Sequence, residues 1–289
     1  MQALKKLSRH LRNKLHNAKR DADFYRAKQV LLASGDLTEA EKTLLQHVSL
    51  QVHSADAMYI PGCAVDYLTA GLSASHCIQA SLRAVGKQIT AGAILDFPCG
   101  FGRVLRFLKG MFPAADIIVG EIQPDALDFC QRTFSVSAFL SDRDLNRIVL
   151  PQKFDLIWCG SLMTHLDEPA VCDLLHFFYR QLAEGGVCVF TAHGQRVASI
   201  IETRESTYGL SEESQKNILS QFFEKGYGYA DYMHQTGYGM SLATRSHIVQ
   251  LARRVGAWEP VLYLENGWHT IQDVYTFTLP PPYHRPAEV

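Results

Sequence analysis

From Ala93 onward the chain alternates short apolar, β-rich runs with helical stretches, and few folds accept that pattern. The runs are "AILDF", "DIIVGE", "SAFL", "FDLIWC" and "VCVFTA". Helical stretches at Val104–Met111, Pro124–Phe134 and Glu168–Leu182 lie between most of them. Runs this apolar predict strands buried on both faces, as in a parallel sheet covered by helices. Two later runs, "EPVLYLE" and "DVYTFTL", follow each other without an intervening helix, so one edge strand is expected to be antiparallel.

The first eighty residues read differently, as a helical extension. The first 29 residues carry nine Lys/Arg against two Asp, with Leu4, Leu7, Leu11 and Leu15 at helical spacing. Such a basic amphipathic helix packs on its own domain, meets a partner or a second copy, or lies on an anionic membrane. Thr38 and Glu41 have capping-box spacing at the start of a second helix. Residues 81–289 are expected to form the main domain. A polar and aromatic segment at about 195–245 is too long for a simple loop and is expected to form a cap.

Composition excludes several classes. A formal net charge of -1 supplies no global basic field, so nucleic-acid binding is not expected. No apolar run reaches the ~20 residues of a membrane helix, and no continuous apolar segment follows the basic N-terminus, so a secretory signal is not expected. Seven cysteines without a CxxC pair read as reduced thiols of a cytoplasmic protein, and no metal-ligand spacing occurs.

The ligand question centres on "ILDFPCGFGRVLRFL", residues Ile94 to Leu108. It lacks the GxxxxGK[ST] string of a P-loop. Leu105 stands where the third glycine of a dinucleotide fingerprint belongs, which weakens an NAD(P)-dependent oxidoreductase reading. Asp96 ends the first strand, where it can receive a cationic amine. Glu121 ends the next, 19 residues after Gly102, and can accept ribose hydroxyls. Asp142 or Asp144 in "SDRD" can accept from an adenine amino group. Amine, ribose and adenine in a row describe S-adenosylmethionine.

At this point the chain resembles the class I S-adenosylmethionine-dependent methyltransferases. Their first motif, D/E-x-G-x-G-x-G, matches "DFPCGFG" from Asp96 to Gly102. Pro98 replaces the first glycine, fixing φ at about -65° and removing an amide donor. "VGEIQPDAL" is similar to the second acidic motif, "FDLIWCGSLMTHL" to the fourth strand and its loop, and "LAEGGVCVFTAHG" to the fifth. The resemblance implies a Rossmann-like α/β fold with a seven-stranded mostly parallel sheet. It also implies S-adenosylmethionine held by Asp96, Pro98, Gly100, Gly102, Arg103, Glu121, Ile122, Asp142, Cys159 and Gly160. More narrowly, the glycine turn and fourth strand are similar to methyltransferases of bacterial surface-polysaccharide and glycosyl-transfer systems.

A hydroxyl acceptor must lose a proton as it attacks, and histidine is the usual recipient. His165 follows the fourth strand and His193 the fifth, and both are candidates for that role. His193, Tyr229, His234, Tyr238 and Trp268 are candidates for contact with a small-molecule or glycan acceptor. The expected reaction is O-methylation of a sugar, glycan or related metabolite. N-methylation and a non-catalytic cofactor-binding partner protein stay open alternatives.

Overall fold

The computed structural model describes residues 2–279, with side chains described from residue 18 onward. The strands in chain order are β1 (Ala93–Asp96), β2 (Asp116–Glu121), β3 (Ser137–Leu140), β4 (Phe154–Cys159) and β5 (Leu182–His193). They are followed by β6 (Tyr227–Tyr232), β7 (Gln235–Ala243), β8 (Glu259–Trp268) and β9 (Gln272–Thr278). One seven-stranded sheet has the order β3-β2-β1-β4-β5-β9-β8, while β6 and β7 pair separately. The first five strands are parallel, and β9 runs antiparallel to both β5 and β8. The antiparallel strand, expected at the edge, lies one place in: the edge strand β8 runs parallel to β5, and β9 takes the inner place. Its five central residues are all buried, whereas most of β8 is half-exposed and suits the edge.

Helices α1 (Gln2–Ala33), α2 (Glu39–His47) and α3 (Ala64–Val85) precede the sheet. α4 (Leu105–Met111), α5 (Pro124–Phe134) and α6 (Glu168–Gln181) cross between strands, and α7 (Gln195–Glu202), α8 (Glu212–Lys225) and α9 (Arg245–Val255) follow β5. Alternate residues of each strand face opposite layers. Leu95, Ile157 and Phe190 pack with Leu174, Phe178 and Leu251 from α6 and α9. Ile94, Leu156 and Val189 pack with Ile78, Leu105 and Leu127 from α3, α4 and α5.

The boundary expected at residue 80 falls inside α3, because this helix is buried on two sides. Ala74, Cys77 and Ile78 pack on the sheet, while Leu68 and Leu72 pack with Phe24 of α1 and Leu45 of α2. Trp268 Nε1 donates to Ala70 O at 2.9 Å and ties the helix to β8. The capping box forms, with Thr38 and Glu41 bonding each other's backbone N–H. The leucine stripe Leu4, Leu7, Leu11 and Leu15 lies outside the described side chains. Further along, α1 packs on its own chain through Phe24 and Ala27.

Between β5 and α9 the chain builds α7, α8 and the β6–β7 hairpin around Ile201, Phe222, Met240 and Leu242. The run "YGYADYMHQTGYGM" carries too many glycines and tyrosines to read as strand by apolar pattern alone. The structure pairs it as an antiparallel hairpin with a register shift at Asp231/Tyr232. No helix among the described residues is long and apolar enough to cross a membrane.

Candidate active site

The chain leaves β1 toward β2 and β3, then returns to place β4 on the other side of β1. Such a reversal opens a crevice beyond the carboxyl ends of the two central strands. A cavity of about 250 Å³ lies there, bounded by the turn after β1, the turn after β4, the 55–58 segment, Tyr238 and Trp268.

Asp96, the last residue of β1, forms one wall. It is only 1% exposed, and its Oδ2 has no hydrogen-bond partner. Burial, and then the charge of Glu121, push its carboxyl well above the usual carboxylate range. A buried carboxyl oxygen without a donor is costly, and a cationic ligand group is the partner that relieves the cost. Glu121 is also buried but well supplied. Its Oε2 accepts from Gly100 N–H (2.9 Å), and its Oε1 from Ile122 N–H (2.7 Å) and Gln123 N–H (3.2 Å). A carboxylate has about four lone-pair directions. One direction, on Oε2, is left for a ligand hydroxyl.

The turn joining them needs its two glycines for different reasons. Gly100 has φ +52° and Gly102 φ +78°, where side chains are strained. A Cβ on Gly102 would lie 2.5 Å from the Phe134 ring, so this glycine is also demanded by packing. A Cβ on Gly100 would meet nothing within 4 Å, and Gly100 itself lines the cavity. Phe97 N–H donates to Trp158 O and Cys99 N–H to Gly120 O, anchoring the turn to both neighbouring strands.

The N-terminal segment supplies the opposite wall through Arg106, which is 1% exposed. Its guanidinium donates to Gly102 O, Ser49 O, Gln51 O and the Tyr67 hydroxyl. It thus binds the glycine turn to the 49–58 segment. Asp56 and Met58 reach the cavity from that segment, held by Tyr67 OH on Asp56 Oδ2 (2.7 Å) and Met58 N–H on Asp56 Oδ1 (2.9 Å). Arg103 also lines the cavity, its guanidinium 5.4 Å from the centre of the Trp268 ring. It has no ion-pair partner among the described residues.

After β4, residues Leu162–His165 form one 3₁₀ turn. The hairpin clamps this turn. Ser241 Oγ donates to Met163 O (2.6 Å), and Tyr227 OH donates to Leu166 O (2.7 Å). His165 Nδ1 lies 3.0 Å from Gly239 O and 3.2 Å from the Tyr232 hydroxyl, and Tyr238 stacks on the ring at 4.8 Å. A carbonyl can only accept, so Nδ1 carries the proton of the neutral ring and Nε2 keeps its lone pair. Burial lowers the His165 pKa, with the Gly239 carbonyl opposing. The ring lining the cavity is therefore a neutral base.

The cavity brings together Asp96, Pro98, Gly100, Arg103 and Glu121, and also Gly160, His165, Tyr238 and Trp268. Gly102 shapes the turn from behind. Other expected residues stand apart. Asp142 accepts from Asp144 N–H and faces Arg147 at 3.6 Å, outside the lining. Ile122 points half its surface to solvent, and Cys159 is wholly buried in the core. His193 is buried beside Tyr208, with its Nδ1 unpartnered and its pKa pushed down to about 3 by burial and then by His165. Tyr229 gives its hydroxyl to Asp231, and His234 sits at the exposed hairpin turn with φ +66°. None of these six lines the cavity. Asp56, Met58 and Ser161 also line the cavity; no motif marks the first two, while Ser161 lies in the fourth-strand loop but outside the expected site residues. The first two come from a segment forty residues upstream, brought in by the Arg106 contacts, by the Tyr67 hydroxyl and by His53, whose ring stacks on Phe101 at 4.8 Å.

Residues 94–186, about a third of the chain, match the family described as "Methyltransferase domain". No curated protein matches the chain. Among solved structures, an S-adenosylmethionine-dependent methyltransferase from Clostridium acetobutylicum is 14% identical with a TM-score of 0.50. That match covers 72% of this chain and 91% of the other. DesVI of Streptomyces venezuelae is 13% identical with a TM-score of 0.51, covering 74% and 93%. At these identities the likeness establishes the fold. The matched family segment contains the strands and turns that carry Asp96, Gly100, Glu121 and His165. The family match, the sheet order and the cavity agree in giving this chain the fold and the crevice of a methyltransferase domain.

Proposed function

We propose that the chain is an S-adenosylmethionine-dependent methyltransferase that methylates a hydroxyl group of a sugar, glycan or related polyhydroxylated metabolite, with His165 taking the proton. The observation that carries this reading is the neutral His165 ring. It lines the same cavity as Asp96 and Glu121, with Nδ1 held by Gly239 O and Nε2 free of any partner among the described residues. The sugar class follows from the similarity of the glycine turn and fourth strand to methyltransferases of glycosyl-transfer systems. Tyr238 and Trp268 in the lining suit a sugar face.

The cavity's polar groups fit S-adenosylmethionine. Asp96 Oδ2 would take the ammonium, Arg103 would meet the carboxylate, and Glu121 Oε2 would take a ribose hydroxyl. Gly100 leaves open space where any side chain would project. When bound, the cofactor supplies a methyl group activated by its positive sulfur. The protein's remaining task is alignment and removal of one proton. Tyr238, Trp158 and Trp268 exclude water from one side of the cavity. His165 Nε2 accepts the hydroxyl proton as the acceptor oxygen attacks.

The test incubates the enzyme with methyl-tritiated S-adenosylmethionine and matched panels of hydroxyl and amine acceptors. Label in acid-stable ethers, falling about 10²–10⁴-fold for His165→Gln, is expected. Label confined to amines, with His165→Gln unimpaired, would overturn the assignment.

A further inference from the structure

Ser161 sits between β4 and the His165 turn with φ +67° and ψ -13°, a left-handed conformation that strains any residue carrying a side chain. A glycine would adopt it freely. The chain keeps a side chain there and braces it heavily. Ser161 N–H donates to Thr191 Oγ1 (2.8 Å), and Thr191 Oγ1 donates to Gln272 Oε1 (2.5 Å). Gln272 Nε2 closes the ring by donating to Ser161 Oγ (2.6 Å). The Ser161 carbonyl accepts from Thr164 N–H and Thr164 Oγ1. Thr191 is fully buried on β5, and Gln272 opens β9, so the ring is rooted in two adjacent strands of the sheet.

The protons in this ring can be counted. Thr191 receives one hydrogen bond and gives one. Gln272 takes one at its oxygen and gives one from its nitrogen. Ser161 Oγ receives from Gln272 and gives to no described residue. The Ser161 hydroxyl proton and the second Nε2 proton of Gln272 are the ring's uncommitted donors, and of these two residues Ser161 lines the cavity. His165, at the far end of the same 3₁₀ turn, presents an uncommitted acceptor at Nε2.

We infer that Ser161 is an acceptor-binding residue, donating a hydrogen bond to a second oxygen of the acceptor while His165 receives the proton of the first. Resting on the O-methylation reading, this narrows the substrate to compounds with at least two oxygens near the reacting centre, such as polyols and sugars. Simple alcohols lack the second oxygen. Thr191 and Gln272 are positioning residues that act through Ser161.

Ser161→Gly is the informative variant, because it removes the hydroxyl while relaxing the backbone. S-adenosylhomocysteine titration is measured first. Affinity within twofold of the parent enzyme is expected, and a tenfold loss would overturn the proposal by making Ser161 a cofactor ligand. Methyl glycosides of the common hexoses and their monodeoxy forms are then assayed with tritiated cofactor. We expect KM for an accepted glycoside to rise about three- to tenfold in Ser161→Gly and in Ser161→Ala, with kcat changing less. One monodeoxy form should show the same loss in the parent enzyme and no further loss in the variants. Equal KM in parent and variants for a labelled glycoside overturns the role of Ser161 and leaves O-methylation standing. Label in amines alone, or in no hydroxyl compound, overturns both.

Discussion

His165 Nδ1 and the carbonyl oxygen of Gly239 lie 3.0 Å apart, although 74 residues separate them in the chain. This contact fixes which ring nitrogen holds the proton, and so which one can receive another. It distinguishes His165 from His193, which shares the side-chain type but sits behind the cavity. We expect His165→Gln to lower kcat by about 10²–10⁴-fold. His193→Gln should change kcat by no more than about fivefold. In kcat/KM against pH, the acid limb should fall through a pKa below the usual histidine value, since burial lowers that of His165. Equal losses in the two variants would remove the distinction.

Asp96 links cofactor binding to pH. Burial, and then Glu121, push its carboxyl well above the usual carboxylate range, and an ammonium ligand favours its ionised form. Binding of S-adenosylhomocysteine should therefore release a proton, and affinity should rise with pH across the range where Asp96 titrates. Calorimetry in buffers of different ionisation enthalpy measures this release. Asp96→Asn should abolish it and weaken binding at least tenfold.

The same shift bears on stability without ligand. A carboxyl whose folded pKa is raised contributes stability fully present below its unfolded pKa, and loses it as pH rises toward the folded value. Asp96→Asn removes that loss. The variant should melt above the parent enzyme at pH 8, and by less at pH 4. An unchanged or lower melting temperature at pH 8 would show that Asp96 is not a source of strain.

The two turn glycines should separate folding from binding. Gly102→Ala places a methyl against Phe134 in addition to the left-handed strain. We expect a loss of roughly 2–4 kcal/mol in denaturant unfolding. Gly100→Ala meets no neighbour and should cost only about 1–2 kcal/mol. Its methyl adds bulk beside the ligand, so S-adenosylhomocysteine affinity should fall tenfold or more. Unfolding and titration of both variants check the contrast.

Arg106 should be intolerant of replacement even by lysine. Only a planar fork reaches Gly102 O, Ser49 O, Gln51 O and Tyr67 OH together. Arg106→Lys should cost about 1–3 kcal/mol through unpaired buried groups. It should also raise amide exchange across residues 49–58 and weaken cofactor binding. Exchange confined to α4 would show that the guanidinium does not hold that segment.

Much of the fold was legible because local pattern and global architecture agree. Apolar runs at strand length, separated by helical stretches, specify a covered parallel sheet whatever the loops contain. Asp96 and Glu121 were legible for the same reason, since a residue ending a central strand has its place set by the sheet. Asp142 lies two residues beyond the end of β3, which is the sheet's edge, and nearby Arg147 engages the side chain.

Residues off the sheet were decided by tertiary contacts. Nothing local to Asp56 or Met58 marks them as cavity walls, because Arg106 brings that segment down onto the glycine turn. The glycine- and tyrosine-rich run after α8 has no apolar alternation to declare a hairpin. It becomes one by pairing and by clamping the His165 turn. His165 and His193 are equivalent by position after a strand, and long-range packing separates them. The Gly239 carbonyl orients one ring at the cavity, while β7 and Tyr208 bury the other. The sequence determined the sheet and the acidic residues at its central strand ends. Only the tertiary structure decided which side chains converge there, because convergence depends on contacts between segments tens of residues apart.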